Sequence, residues 1–234
     1  MSKIIVITAA NEKFKELAKM TIKSAEDLGY ETVAYDLGNL GFGKPFEGRV
    51  FDQVGGKIPS KPSIILDALN CVNDNDFVVW LDADAILWSR IDEIVGDYDI
   101  GVTVRKPKTT ENGFPINAGV VFVKKTPHAL NFVHEWIKEC VTATSDQAVL
   151  NGLCRVTSED VNNTVLWKDT NIRVFPCDVY NNFYFKKSQL HAKITHYKSK
   201  LRSWWPRRAI QKIPKNANEE TRNASTQLRF NKAL

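Results

Sequence analysis

Several features that would place this chain in a specialised class of proteins are missing from its sequence. No apolar run approaches the roughly 20 residues that a membrane-spanning helix needs. Residues 1–20 contain a short apolar strand and no secretory hydrophobic region. With 43% hydrophobic and 25% charged residues, the chain also lacks the composition of a disordered protein. These absences lead us to expect a globular protein without a transmembrane segment, located in the cytoplasm.

Cysteine is scarce, and no glycine-rich loop follows the first predicted strand. The four cysteines form no C-x-x-C pair and do not lie near a histidine at zinc spacing. We therefore expect reduced, mostly buried thiols, and no zinc site or disulfide framework. The segment after the first predicted strand, TAANEKFKE, lacks the Gly-rich, Arg-containing loop with which a nucleotidyltransferase of related fold holds a triphosphate. This difference counts against that class of enzymes.

Positive charge is in excess and lies late in the chain. The formal net charge is +5, and basic residues are frequent between Lys186 and Lys215. Such a cluster suits phosphate, nucleic acid or an anionic membrane surface, and a solvated face with a polar tail is an equally weighted alternative. No nucleic-acid recognition motif accompanies it, so we expect no specific nucleic-acid partner. Trp204 and Trp205 beside these residues leave a peripheral membrane contact open.

Short β-branched runs alternate with amphipathic helices in the first half of the chain. Residues 3–8 and 30–35 predict buried parallel strands on either side of a helix that Gly29 ends. Further strands are predicted at 76–81, 100–104, 116–123, 172–175 and 192–196, and further helices from Pro62, near 91–95, at 126–141 and at 145–153. This alternation predicts an α/β fold of three layers with a mainly parallel central sheet. Ligands of such sheets bind at the carboxyl ends of the strands.

The length of 234 residues suits one compact domain with a sizeable core. We expect this domain to comprise residues 1–205 and a basic, polar tail to comprise residues 206–234. Two long polar loops, at 37–60 and 105–115, are expected to contribute to binding of an acceptor.

The strongest functional signal is DFVVWLDADAILW, residues 76–88, in which an apolar strand ends in two carboxylates. Residues i and i+2 of an extended chain point the same way, so Asp82 and Asp84 share one face unless the turn changes it. Two like charges at such a place require a positive partner, and hard oxygen ligands suit Mg²⁺ or Mn²⁺. The small Ala83 between them lets a nucleotide approach. The alternative is a surface turn in which Asp82 caps a helix. The short D-x-D motif taken alone favours this alternative, whereas the apolar residues on both sides of the motif do not.

Three blocks in a fixed order carry a resemblance to a known family. FVVWLDADAIL resembles the D-x-D segment of GT-A glycosyltransferases, and is most similar to the glycogenin and bacterial lipopolysaccharide galactosyltransferase family, glycosyltransferase family 8. FPINAGVVFVK at 114–124 and SDQAVLN at 145–151 resemble two further segments of that family. The resemblance implies the GT-A fold and a metal-dependent hexosyltransferase. Such an enzyme moves a sugar from a nucleoside-diphosphate sugar, with a UDP-sugar favoured, to a hydroxyl group of a glycan or glycoprotein acceptor.

The resemblance also implies roles for single residues. Asp82, Asp84 and His196 would ligate a divalent cation, Mn²⁺ or Mg²⁺. Asp146 and Gln147 would face the anomeric carbon or the sugar hydroxyls and are the catalytic candidates. The nucleotide-sugar would contact Thr8, Ala9, Ala10, Asp36, Lys61, Asp82, Ala83, Asn117, Gly119, Lys198 and Arg202. The family's glycine after the late histidine is replaced here by Ser199, although Lys198 and Arg202 still offer positive charge for a leaving diphosphate.

Each of these roles has a plainer alternative. Residues 8–10 suit an ordinary strand-to-helix turn, Lys61 a solvated lysine, and Gly119 close packing. Asp146 and Gln147 suit the first turn of a helix, where an acidic residue is favoured by the helix dipole. For the whole protein, the alternative is a non-catalytic module of the same fold that binds nucleotide-sugars or glycans. The resemblance favours retention of anomeric configuration, and inversion with Asp146 as base is left open.

Overall fold

The computed structural model describes residues 2–37, 61–106, 113–143, 145–183 and 191–197. Along these residues the elements are β1 (Ile4–Ala10), α1 (Lys15–Glu26), β2 (Glu31–Asp36), α2 (Lys61–Cys71), β3 (Phe77–Leu81), β4 (Ala85–Leu87), β5 (Ile100–Val104), β6 (Ile116–Lys124), α3 (Pro127–Cys140), α4 (Asp146–Cys154), β7 (Thr164–Trp167), β8 (Thr170–Pro176), α5 (Cys177–Tyr180) and β9 (Ile194–His196). Single 3-10 turns occur at Glu12–Phe14, Asp92–Ile94 and Ser158–Asp160.

The central sheet of the described chain has seven strands in the order β2-β1-β3-β6-β5-β8-β7. Strand β6 is antiparallel to both of its neighbours, and the edge strand β7 is antiparallel to β8. The other five strands run in one direction. The predicted α/β fold with a mainly parallel sheet is therefore confirmed.

Both faces of the sheet are buried, which explains the near-continuous apolar runs of its central strands. On β3, Val78 and Trp80 face a core cluster shared with α2, α3 and α4. Phe77, Val79 and Leu81 face the opposite cluster, to which α1, α5 and β9 contribute. The alternation follows from the pleat of a strand, whose successive side chains point to opposite faces. The sheet thus lies between two layers, as predicted.

Local signals in the sequence set the ends of three helices. Gly29 has a positive φ of 83°, which allows the turn after α1. The Thr126 hydroxyl accepts a hydrogen bond from the Ala129 main-chain N–H at 3.1 Å at the start of α3. Ser145 does the same for α4 through the Ala148 N–H at 3.4 Å. The predicted cap at Ser145 is confirmed, and this cap fixes where Asp146 and Gln147 begin the helix.

A second, two-stranded sheet pairs β4 with β9 in antiparallel fashion, with Ala85 opposite His196. Strand β4 was not predicted. The indole Nε1 of Trp88 donates to the Thr195 hydroxyl at 3.0 Å and joins the same two segments beyond the ladder. This small sheet brings the late histidine to the carboxyl end of β3.

Other expectations concern the thiols, the membrane and the tail. The four cysteines are free thiols; Cys154 and Cys177 are buried, and Cys71 and Cys140 are half-buried. Within the described ranges, no helix is both long and apolar enough to cross a lipid bilayer. The predicted tail, residues 206–234, and most of the loops at 37–60 and 105–115 lie outside the described residues.

Candidate functional site

Three potential metal ligands converge where β3 ends. Asp82 follows β3, Asp84 precedes β4, and His196 ends β9, and one ligand atom from each lies within 4.8 Å of the others. The Nε2 atom of His196 is 2.9 Å from Asp84 Oδ1 and 3.5 Å from Asp82 Oδ2. Asp82 does not cap a helix, because its main-chain oxygen accepts from the Ala85 N–H at 2.9 Å in a tight turn into β4. Two carboxylates and an imidazole therefore face one point.

The two oxygens of Asp82 have different surroundings. Oδ1 accepts a hydrogen bond from the indole Nε1 of Trp80 at 2.8 Å and lies 3.0 Å from the Lys61 ammonium. Oδ2 is the oxygen that faces His196. Burial alone would raise the pKa of Asp82, but Lys61, His196 and the Trp80 N–H outweigh it and hold that pKa well below its usual range. Asp82 is thus ionised at neutral pH, and its Oδ2 atom faces the point on which the three side chains converge.

Lys61 is not a solvated surface lysine. Its side chain is 10% exposed, and its ammonium donates to the main-chain oxygen of Ala118 at 2.6 Å. It also lies 3.8 Å from Asp146 Oδ2 and above the Trp80 ring at 5.4 Å from the centroid. Burial lowers the pKa of Lys61, but the carboxylates of Asp82 and Asp146 more than offset this, so the pKa is raised. The positively charged Lys61 side chain therefore lies between the carboxylate of Asp82 in the D-x-D turn and that of Asp146 at the start of α4.

Gly119 on β6 gives His196 the space it occupies. A Cβ atom built on Gly119 would overlap Cε1 and Nδ1 of the imidazole ring, and would come within 3.2 Å of Asp82 Oδ2. The main-chain oxygen of Gly119 also accepts from the Asp82 N–H at 2.8 Å. Gly119 is therefore required for close packing and is also part of the candidate site. The fully buried Asn117 lies two residues earlier and accepts from the Gly119 N–H at 3.2 Å.

Helix α4 is docked on β6 through amide side chains. Gln147 Oε1 accepts from the Ala118 N–H at 3.3 Å. One turn later, Asn151 accepts from the Ile116 N–H at 2.8 Å and donates to the Ile116 oxygen at 3.2 Å. This spacing of four residues holds the first turn of α4, including Asp146, beside the metal ligands. Asn151 was not among the predicted site residues, although it closes the SDQAVLN block at four residues from Gln147.

The residues predicted to contact the nucleoside lie at the carboxyl ends of β1 and β2. Ala10 pairs with Asp36 across the two strands. Ala83 packs toward α1 in one small cluster with Ala10, Ala18 and Ala34. The side chains of Thr8 and Ala10 are buried, whereas Ala9 and Asp36 are partly exposed. The fold therefore brings these residues to the edge of the sheet that carries the D-x-D turn.

The remaining predicted contacts, Lys198 and Arg202, lie outside the described residues, as do Ser199, Trp204 and Trp205. Two residues near the ligands were missed by the sequence reasoning, Trp80 and Asn181. Trp80 had a signal, because it precedes Asp82 by two positions on a strand and so points to the same face. The sequence around Asn181 gives no such signal, because it does not show which strands the Asn181 side chain contacts.

A sequence model of nucleotide-diphospho-sugar transferases matches residues 69–202, which is more than half of the chain. The chain belongs to the nucleotide-diphospho-sugar transferase family. The matched segment of this transferase includes both aspartates of the D-x-D turn, the first turn of α4 and His196. Its enzyme class is that of the glycosyltransferases that use nucleotide-sugars, as the resemblance of the three sequence blocks implied.

Solved structures share the fold of this transferase at low sequence identity. One is a glycosyltransferase involved in the glycosylation of the major capsid of PBCV-1, with a TM-score of 0.57 and 13% identity over 96% of this chain and 99% of that chain. Another is the glycosyltransferase GlyE of Streptococcus pneumoniae TIGR4, with a TM-score of 0.59 and 14% identity over 100% of this chain and 64% of that chain. The expected GT-A fold is confirmed. A comparison with curated proteins gives no match.

Proposed function

We propose that this transferase requires a divalent cation, binds a nucleoside-diphosphate sugar with UDP as the favoured nucleotide, and transfers the sugar to a hydroxyl group of a glycan or glycoprotein. The observation that carries this proposal is the convergence of Asp82, Asp84 and His196 at the carboxyl edge of the sheet. Ligands of such sheets bind at this edge. The family match supports a nucleotide-sugar donor.

The three donor atoms fit a divalent cation. Asp84 is 3% exposed, and a buried carboxylate beside a second carboxylate is unfavourable unless a positive charge compensates both. Lys61 contacts Asp82 and the His196 ring contacts Asp84, and a bound cation would add positive charge where the two carboxylates converge. Two carboxylate oxygens suit both Mg²⁺ and Mn²⁺, whereas the imidazole nitrogen favours Mn²⁺. We therefore propose Mn²⁺ as the preferred ion.

A bound divalent cation supplies positive charge that offsets the charge developing on a leaving diphosphate. The residues of this chain would hold and orient the reactants around it. Asp82, Asp84 and His196 would hold the ion, and the Lys61 ammonium keeps Asp82 ionised and orients its carboxylate. Such preorganised charges stabilise a transition state because they need no rearrangement during the reaction.

The first turn of α4 is the proposed position of the reacting sugar. Gln147 uses its amide oxygen to accept from β6, so its amide NH₂ group is the part that can donate to a sugar hydroxyl. The Asp146 carboxylate is 32% exposed and lies beside Lys61. We propose that Gln147 and Asp146 orient the transferred sugar, with Asp146 as the base if the reaction inverts configuration.

Release of nucleoside diphosphate from a panel of nucleotide-sugars tests this function. Each donor is assayed with Mn²⁺, with Mg²⁺ and with chelator, for the wild type and for Asp84→Asn. The matched control is Asp97→Asn, which removes a carboxylate that is fully exposed and 3.7 Å from Lys124.

We expect one donor to be turned over only with metal, and Asp84→Asn to abolish this turnover while Asp97→Asn retains it. Turnover that survives both the chelator and Asp84→Asn would contradict the role of the metal. Absence of turnover with every donor, together with absence of metal-dependent nucleotide binding, would instead support the non-catalytic binding module.

A further inference from the structure

Asn181 is a buried residue outside the proposed ligand set that contacts one of the ligands directly. It follows α5 and is completely inaccessible to solvent. Its Oδ1 atom lies 3.0 Å from His196 Nδ1, the ring nitrogen on the side away from the carboxylates. Its Nδ2 atom donates to the Thr103 hydroxyl at 2.8 Å and to the Asn117 main-chain oxygen at 2.9 Å. One amide thus connects β5, β6 and β9.

The orientation of this amide follows from its partners. The Asn117 main-chain oxygen can only accept a hydrogen bond, so the Asn181 NH₂ group must face it. The Thr103 hydroxyl gives its own hydrogen to that same oxygen at 3.0 Å, and is therefore an acceptor toward Asn181 as well. A reversed amide would place oxygen against oxygen at both contacts. The Oδ1 atom is consequently fixed toward His196.

An oxygen fixed at 3.0 Å from His196 Nδ1 requires a hydrogen on that nitrogen. When a cation is bound, the imidazole is neutral and the lone pair of Nε2 would point to the ion, because Nε2 is the atom that faces Asp82 and Asp84. Without an ion, a hydrogen on Nε2 would face the Asp84 carboxylate instead. The opposite tautomer would put an N–H where a metal must bind and two acceptors against each other at Nδ1. The contact with Asn181 thus selects the one neutral form of His196 that can ligate a cation.

We infer that Asn181 is a positioning residue of the metal site, which fixes the tautomer and the ring orientation of His196 through a buried amide anchored to Asn117 and Thr103. Gly119 bounds the same ring and leaves it no room to rotate toward β6. This inference rests on the proposed function, because it assigns Asn181 its role through the proposed ligand His196. Partners of this kind typically change metal affinity by about 10–100-fold when they are lost.

The first measurement needs no metal and no variant of Asn181. Nitrogen NMR of the metal-free wild type, labelled at its four histidines and assigned with His196→Gln, reports which ring nitrogens carry hydrogen. We expect His196 Nδ1 to carry one. A His196 Nδ1 atom without hydrogen would overturn the inference, whether or not the protein proves to bind Mn²⁺.

The second measurement is Mn²⁺ affinity, followed by the electron paramagnetic resonance signal of the free ion. Asn181→Leu has a similar volume and no acceptor, and we expect it to bind Mn²⁺ about 10–100-fold more weakly than the wild type. Asn181→Asp keeps an oxygen toward Nδ1 and should bind Mn²⁺ more tightly than Asn181→Leu, while its second oxygen, placed against the Asn117 main-chain oxygen, should lower the free energy of unfolding. Thr170→Val is the control for loss of a buried hydrogen bond, because the Thr170 hydroxyl donates to the His128 main-chain oxygen and contacts no residue of the site.

Each result separates the positioning role from a structural one. Equal Mn²⁺ affinities for the wild type and a folded Asn181→Leu would overturn the inference, as would an equal loss in Thr170→Val. If Asn181→Leu does not fold, the presence or absence of a hydrogen on His196 Nδ1 in the wild type decides. A wild type that has the expected tautomer but does not bind Mn²⁺ would contradict the proposed metal dependence and leave the tautomer assignment supported.

Discussion

Gly119 and His196 are packed so closely that a single added methyl group should affect both the stability of the fold and metal binding. A Cβ on Gly119 would meet the imidazole ring, which is held by Asn181 and by the pairing of β9 and has no flexible end to move away. We expect Gly119→Ala to lower the free energy of unfolding by about 1–3 kcal/mol, as other overpacking substitutions do. We also expect it to weaken Mn²⁺ binding. Urea unfolding and Mn²⁺ titration measure the two effects.

Gly152 provides the control for this substitution. It lies on the exposed side of α4, and a Cβ built there meets no atom within 4 Å. Since glycine inside a helix costs about 0.5–1 kcal/mol relative to alanine, Gly152→Ala should stabilise the protein slightly and leave Mn²⁺ binding unchanged. Unaltered Mn²⁺ affinity in Gly119→Ala would show that the ring has more freedom than its contacts indicate.

Lys61 should make the stability of the protein depend on pH on the alkaline side. Its pKa is raised above the ordinary value of 10.5, so its contribution is fully present below pH 10.5 and is lost as the pH rises through the folded-state pKa. The difference in free energy of unfolding between wild type and Lys61→Met should therefore be constant from pH 7 to 10 and decrease above pH 10.5. Urea unfolding across this range measures it. A difference that is independent of pH up to the alkaline limit of folding would contradict the charge-based account.

At the scale of elements, the docking of α4 on β6 is the contact that sets the geometry of the reacting end. Asn151 pairs with both main-chain groups of Ile116, so Asn151→Ala leaves buried groups without partners at a cost of about 1–3 kcal/mol. A small displacement of α4 would misplace Asp146 and Gln147, and misplacement of about 1 Å can lower a rate by about 100-fold. We expect kcat to fall while Mn²⁺ affinity stays unchanged, because α4 carries no metal ligand.

Steady-state kinetics and Mn²⁺ titration distinguish the two quantities for Asn151→Ala. Asn131→Ala, at an exposed position of α3, is the control for loss of an amide and should change neither. A parallel loss of kcat and Mn²⁺ affinity in Asn151→Ala would show that α4 and the metal ligands move as one unit.

The elements that could be predicted from the sequence are those whose signal is local. Strands β1, β3, β5 and β6 are buried on both faces and therefore appear in the sequence as apolar runs. Helix α4 could be predicted because Ser145 is a typical capping residue at its start. Strand β4 could not be predicted, because a run of three apolar residues becomes a strand only through its pairing with β9. Strand β7 alternates between exposed and half-buried residues over only four positions, which is too short for a period to be recognised.

The residues of the candidate site could likewise be predicted only where their signal is local in the sequence. The two aspartates were predicted because they interrupt an apolar run, and His196 because it ends one near the expected place. The buried state of Lys61 was not predicted, since a lysine before a helix gives no sign of the carboxylates that surround it. Asn181 was missed for the same reason, because all three of its partners come from strands distant in sequence.

At the scale of the whole molecule, the composition of the chain changes near its end. Residues 206–234 are charged and polar with few apolar residues. We propose that residues 1–205 form the catalytic domain and that 206–234 form a separable tail. A chain ending at residue 205 should keep the melting temperature of the full chain within the error of a calorimetric scan. A decrease of several degrees would show that the tail belongs to the folded domain.

The pairing of β4 with β9 also determines when the protein becomes able to bind metal. Trp88 and Thr195, which join these strands, are 107 residues apart in the chain. Contacts of such long range close slowly, because the entropy of a large loop is lost before any bond forms. During synthesis at about 5–20 residues per second, the D-x-D turn leaves the ribosome about 5–20 s before His196 does. The nascent chain would therefore carry two of the three proposed ligands for about half of its elongation, and could complete the proposed metal site only after β9 has paired with β4.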